Sequence, residues 1–253
     1  MNTTKGSPRG TSRNTAIVVG ALYIIGTVAG ILSLVFTGPF LEEQDYLTQV
    51  SAHPSQIVIG ALFVLTMGLA LAMVPVMMFP ILKRYNEALA VGYVVFRGAL
   101  EAVTYLALVA GWLFLTSISQ GYAKATTADV FYFQSLGDLV LQAHVQIGHV
   151  LTIIFILGAL MFYYMLYRSK LVPRWLSGWG LLAALPYFVS GILGLFALLR
   201  PMSTGQMVLV LPLALQEMVL AVWLIVKGFN SSASASGIVK TDLHKGYLTT
   251  SKI

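Results

Sequence analysis

The sequence predicts an all-α fold, a polytopic membrane bundle of six transmembrane helices with both termini cytoplasmic. Three observations carry this. Hydrophobic residues fill 58% of the 253 positions and charged residues 9%, against roughly 45–50% and about 25% in a soluble domain. Mean hydropathy is accordingly high, at +0.84. The apolar residues also come in unbroken runs of about 20, enough for a helix to cross a hydrocarbon layer of about 30 Å. Barrel strands would instead show alternation over about ten residues. Finally, basic residues gather in alternate connections. Together these exclude a soluble enzyme, a disordered chain and a nucleic-acid-binding domain, because the net charge of +6 is spread over short clusters between apolar runs. With no cysteine, disulfides, thiolate metal sites and cysteine nucleophiles are also excluded.

The six spans are Thr15–Thr37, Gln56–Leu82, Ala88–Ile118, Val140–Tyr167, Trp175–Leu199 and Met207–Val226. Before the first span lies a basic segment, residues 1–14, read as cytoplasmic. That span exceeds the 7–15 apolar residues of a signal peptide and no small-x-small site follows it, so it reads as an uncleaved helix. Gly38-Pro39 is expected to stop it, and an outer loop with Glu42, Glu43 and Asp45 runs to His53-Pro54. The segment Thr127–Leu136, with Phe131, Tyr132 and Phe133, is expected in the outer interface, the depth aromatic rings favour. Residues 230–253 form a Ser/Ala/Gly-rich tail read as flexible and cytoplasmic. Twelve of the fifteen Lys and Arg residues fall on the side of Arg13, Lys83, Arg84, Arg168, Lys170, Arg174 and Lys227, whereas only Lys124 and Arg200 fall on the other. The positive-inside rule makes the richer side cytoplasmic, in a cytoplasmic (inner) membrane.

Charges inside spans are the main functional signal, since an ionisable group at midplane costs roughly +2.5–3.5 kcal/mol on insertion scales. Arg97 and Glu101 stand four residues apart in the third span, on one face, and are expected to pair. Glu217 lies near the middle of the sixth span beside Gln216, below Pro212, with no basic residue within a turn. One arginine therefore faces two carboxylates. The surplus carboxylate must be protonated, share Arg97, meet a histidinium or hold a cation. A structural role, in which these groups only lock helices together, stands beside the functional one.

The fourth span carries His144 and His149, whose i,i+5 spacing sets them about 140° apart on a regular helix. A chelating pair would need a π-bulge at Gly148. His149 with Glu217 and Glu101 is a weak candidate transition-metal set, and a lone buried histidine is more often a helix-packing group. Haem is disfavoured because no other span holds a histidine to supply the second axial ligand. No nucleophile elbow, Walker loop or His-Glu-x-x-His segment is present. Gly26 and Gly30 make a GxxxG face in the first span, suited to packing within the chain and also to a homo-oligomer seam.

Several blocks carry a family resemblance: Gly26-Thr-Val-Ala-Gly30-Ile-Leu-Ser33, Phe79-Pro80-Ile-Leu-Lys83-Arg84, and Gly92-Tyr93-x-x-Phe96-Arg97-x-x-x-Glu101. To these add the inner loop from Tyr167 to Gly180, then Gln216-Glu217 and Ala221 to Phe229. With them the chain resembles the bacterial multi-pass membrane family catalogued as domain of unknown function 4386, over nearly all of Thr15–Phe229. The resemblance implies a six-helix inner-membrane domain, residues 15–229, and leaves the activity open. The residues themselves point first to a protein that binds or moves a small solute or proton through a polar centre between the third, fourth and sixth spans. The candidates there are Glu217, Gln216, Arg97, Glu101, His149 and His144. The alternatives are an intramembrane metal-dependent enzyme acting on lipid, and a non-catalytic immunity or sensor subunit. The bilayer is a partner in every case, and nucleic acid in none.

Overall fold

A computed structural model describes residues 8–41 and 45–230. The described residues form seven helices and no strand: α1 (Pro8–Leu41), α2 (Tyr46–Ala52), α3 (Pro54–Leu82), α4 (Glu87–Tyr122), α5 (Val130–Ser169), α6 (Arg174–Leu195) and α7 (Thr204–Val226). All but α2 are long and apolar enough to cross a membrane. Glu42, Glu43, Lys5, Lys240, Lys245, Lys252, His244 and the tail beyond Asn230 lie outside the described residues.

The six long helices form a closed ring. Each packs on the next in chain order, and α7 returns to α1. Short connections force this up-and-down order, as in other helical bundles. Every long helix keeps an apolar outer face, with Val35, Val103, Leu182 and Val222 exposed. That is the pattern of helices solvated by lipid. Side chains turned inward include Ile57, Val74, Met78, Leu115, Ile156, Leu213 and Leu220, all essentially buried. Gly26 and Gly30 face α3, where added Cβ atoms would meet Leu71 and Met67. The GxxxG face thus serves close packing within the chain.

The two ends of the ring differ. At one end, the basic end, α1 begins, α3, α5 and α7 finish, and the cations Arg13, Lys83, Arg84, Arg168, Lys170, Arg174 and Lys227 collect. Arg13 donates to the carbonyls of Leu224, Ile225 and Val226 at 3.3, 2.7 and 3.2 Å. These carbonyls have no partner within the helix, and a cation there also suits the helix dipole. Gly228, at φ 72, turns the chain away tightly enough for Arg13 to reach them. Across the opposite end lies α2, with Leu47 and Val50 buried and the Tyr46 hydroxyl donating to Asp138 at 2.9 Å. Burial and the neighbouring Asp138 push that hydroxyl above its ordinary range, so it stays a donor.

Several boundaries differ from expectation. Helix α1 continues through Pro39 to Leu41. In a last turn proline removes one backbone hydrogen bond near an end that frays anyway. The supposed outer loop contains α2. The aromatic segment around Phe131 is the first turns of α5, ten residues before the expected start. Helix α6 ends at Leu195, because Ala197 turns left-handed at φ 55 and the Leu198 N–H closes on the Leu193 carbonyl at 2.9 Å.

Candidate functional site

A stripe on α4 builds the centre. Tyr93, Arg97, Glu101 and Tyr105 recur every fourth residue and are all buried. On a regular α-helix such a stripe would drift by about 40° per step, from 3.6 residues per turn. Here Val94–Leu100 is a π-helical segment, and the Glu101 N–H donates to the carbonyl of Phe96, five residues back. The wider turn keeps the stripe facing inward. Such segments occur frequently at functional sites. The bulge at Gly148 that a chelating histidine pair would need does not form: α5 is α-helical throughout, and the π segment surrounds Arg97. Gly158 of α5 permits the contact, since a Cβ there would stand 3.1 Å from the Arg97 Cβ and 3.2 Å from its backbone nitrogen.

Arg97 joins the two carboxylates. Its Nη1 donates to both Glu101 oxygens at 3.1 and 3.2 Å, and its Nη2 donates to Glu217 Oε1 at 3.3 Å. The guanidinium lies 4.2 Å from the Phe155 ring centre and 5.9 Å from that of Tyr23. Aromatic faces of this kind help hold a desolvated cation. The three ionic side chains are unequally enclosed. Arg97 is 3% exposed and Glu101 2%, whereas Glu217 is 16% exposed. Glu101 is sealed against Arg97, and Glu217 is the reachable member.

Glu217 and Arg97 border a cavity of about 170 Å³ lined by every long helix. Thr27 comes from α1, Met67 from α3, Tyr105 from α4, Thr152 and Phe155 from α5, Tyr187 from α6 and Ala214 from α7. Cross-helix contacts fix its depth. Gly158 lies level with Arg97, and Gly68 with Tyr105. Leu151 and Tyr105 therefore stand about 10 and 12 Å from the Arg97 level, at 1.5 Å per residue, on the side away from the basic end. Arg97 and Glu217 form the floor.

The remaining candidates lie elsewhere. His149 packs on Gly194 of α6, where a Cβ would collide with its ring. His144 sits against Gly111 and tilts over Trp112 at 4.7 Å on α4. The two histidines thus face different helices, as their spacing requires. No group of three metal-ligating side chains occurs among the described residues, and His149 is not gathered with Glu101 and Glu217. Gln216 turns from the cavity, its Nε2 donating to the Leu176 carbonyl at 3.0 Å. Sequence reasoning missed Tyr93 and Tyr105 as members of the centre, although their four-residue spacing from Arg97 and Glu101 was the available signal. Phe155, Thr152, Tyr187 and Thr27 carried no such signal.

No curated protein and no solved structure matches the chain. The family described as "Domain of unknown function (DUF4386)" matches residues 18–228. That stretch spans the whole ring and both partners of Arg97, and the chain belongs to this family of membrane proteins.

Proposed function

We propose that the protein binds a proton or a small cationic solute at Glu217 and passes it through the intramembrane cavity. One observation carries the reading: a cavity touched by all six spanning helices has the Arg97–Glu217 ion pair in its floor. With both carboxylates ionised the cluster of Arg97, Glu101 and Glu217 has formal charge −1. In a low-dielectric surround that surplus favours uptake of one positive charge. Glu101 is enclosed by Arg97, so exchange falls to Glu217. Thr27, Thr152, Tyr105 and Tyr187 supply hydroxyls along the wall. On this reading the basic end faces the cytoplasm and the membrane is the cytoplasmic one, by the positive-inside rule.

Difference infrared spectroscopy of the protein in lipid tests it. The carboxyl C=O band of Glu217 should change reversibly with pH, or on adding sodium or methylammonium. Glu217→Gln should remove that response while leaving the helical circular dichroism intact. A wild-type spectrum unmoved by proton and cation alike, or a response retained by E217Q, would overturn the proposal.

A further inference from the structure

Beneath the cavity floor, toward the basic end, lies a compact aromatic layer. Tyr23 of α1, Tyr93 of α4 and Phe162 and Tyr163 of α5 are each 1% exposed or less. Tyr93 stacks on Phe162 at 4.8 Å, and the Tyr163 ring presses on Gly180 of α6. Tyr93 stands one helical turn below Arg97, about 6 Å at 1.5 Å per residue. The Tyr163 hydroxyl lies within electrostatic reach of Glu217, Tyr23, Arg97 and Tyr93.

This layer is polar where it should be dry. The buried Tyr163 hydroxyl has no hydrogen-bond partner among the described residues, nor does Oε1 of Gln216, whose Nε2 is held by Leu176, and the Tyr93 hydroxyl has only the Tyr23 hydroxyl beside it. Buried hydroxyls and amides almost always find partners, and internal water is the usual one where protein supplies none. Gln216 is held at Leu176, one turn before the Gly180 on which Tyr163 presses, so the amide oxygen and the tyrosine hydroxyls share one side of the bundle, and such a water takes contacts of this kind.

We propose that Tyr93, Tyr163 and Gln216 hold buried water below Glu217, and that this water is the proton's route between Glu217 and the basic end. The inference rests on Glu217 being the exchanging group. In the step, the carboxyl O–H of Glu217 breaks as a water oxygen takes its proton. That water releases a proton of its own to the next oxygen, and one proton emerges at the basic end. Nothing is oxidised or reduced. The charged and titratable groups around Glu217 are Arg97 and Glu101 of α4, Tyr23 of α1, Tyr105 of α4, Tyr163 of α5 and Tyr187 of α6. Among the hydroxyls, only those of Tyr93 and Tyr163 hold the water that carries the proton.

Time-resolved infrared after a pH jump, on the full chain in lipid nanodiscs, gives the test. Tyr163→Phe and Tyr93→Phe keep the rings and remove only the hydroxyls. The double variant should retain the amplitude of the Glu217 carboxyl band and slow its appearance at least tenfold. An unchanged rate would overturn the route. Radiolytic footprinting of the wild-type protein gives an independent reading, because hydroxyl radicals born in bound water oxidise adjacent rings. Tyr93 and Tyr163 should be modified well above the intervening Phe162. Equal protection of all three would overturn the water site even if the variants failed to fold. A wild-type protein without any Glu217 band would refute the exchange at Glu217 instead, and the footprint would still report on the water.

Discussion

Replacing Arg97 by alanine removes the one cation from a buried cluster that keeps two carboxylates. At 3.1 Å from Glu101, each close charge pair is worth about 5 kcal/mol at an effective dielectric of 20, before desolvation is subtracted. Most of that gain is offset by the desolvation of the ions, which is why a buried pair adds little to net stability. Deleting one partner is different, because the desolvation of the survivors is no longer offset; the usual cost is about 3–5 kcal/mol. Loss of the guanidinium from the Phe155 face, 4.2 Å away, adds about 0.5–2 kcal/mol. Removing Glu101 as well takes away the carboxylate that is 2% exposed and leaves Glu217, which borders the cavity. Arg97→Ala with Glu101→Ala should therefore be more stable than Arg97→Ala alone by about 1–2 kcal/mol, within the range of contacting pairs. Equilibrium unfolding in mixed detergent micelles, followed by circular dichroism, measures both. A double variant whose loss equals the sum of the two single losses would refute the pairing.

Arg13→Ala uncovers the last carbonyls of α7 and should lower stability by about 1–2 kcal/mol, with Arg13→Lys recovering part of it; thermal unfolding in detergent decides, and no shift would count against the latch. Gly194→Ala forces its Cβ onto His149 and should cost about 1–3 kcal/mol. His149→Ala should relieve much of that, and a G194A defect that persists in the double variant would mean the ring is not the obstacle. For topology, cysteine in place of Asp45 should react with a membrane-impermeant maleimide from outside, and cysteine in place of Glu87 only from the cytoplasm. Both sites are exposed, whereas Ser169, the last residue of α5, is buried and would not report; the reverse labelling pattern would invert the orientation.

The helices were legible because lipid imposes one local rule on every residue of a span: its backbone bonds internally and its outer face is apolar. Arg97 with Glu101 was legible for the same reason, being both costly in a span and four residues apart. Their meeting with Glu217 stood as one of four outcomes, because 120 residues separate the partners and no periodicity encodes which face of α7 turns toward α4. The start of α5 was missed since its first turns carry exposed Phe131 and Tyr132, whose aromatic character signals interface depth and says nothing of backbone shape. The π segment around Arg97 went unforeseen, because the one reason to consider a bulge was the histidine spacing at Gly148. The stripe from Tyr93 to Tyr105 contained the better argument.

Exchange at Glu217 depends on its opening into a cavity able to hold a proton carrier or a small cation. A high-resolution structure of the protein in lipid nanodiscs tests it most directly. The expected result is an open cavity of about 170 Å³ among Arg97, Tyr105, Phe155, Tyr187 and Glu217, with non-protein density within hydrogen-bond distance of the Glu217 carboxylate. A cavity filled by its own side chains, with both Glu217 oxygens held by Arg97 or turned to lipid, would contradict it.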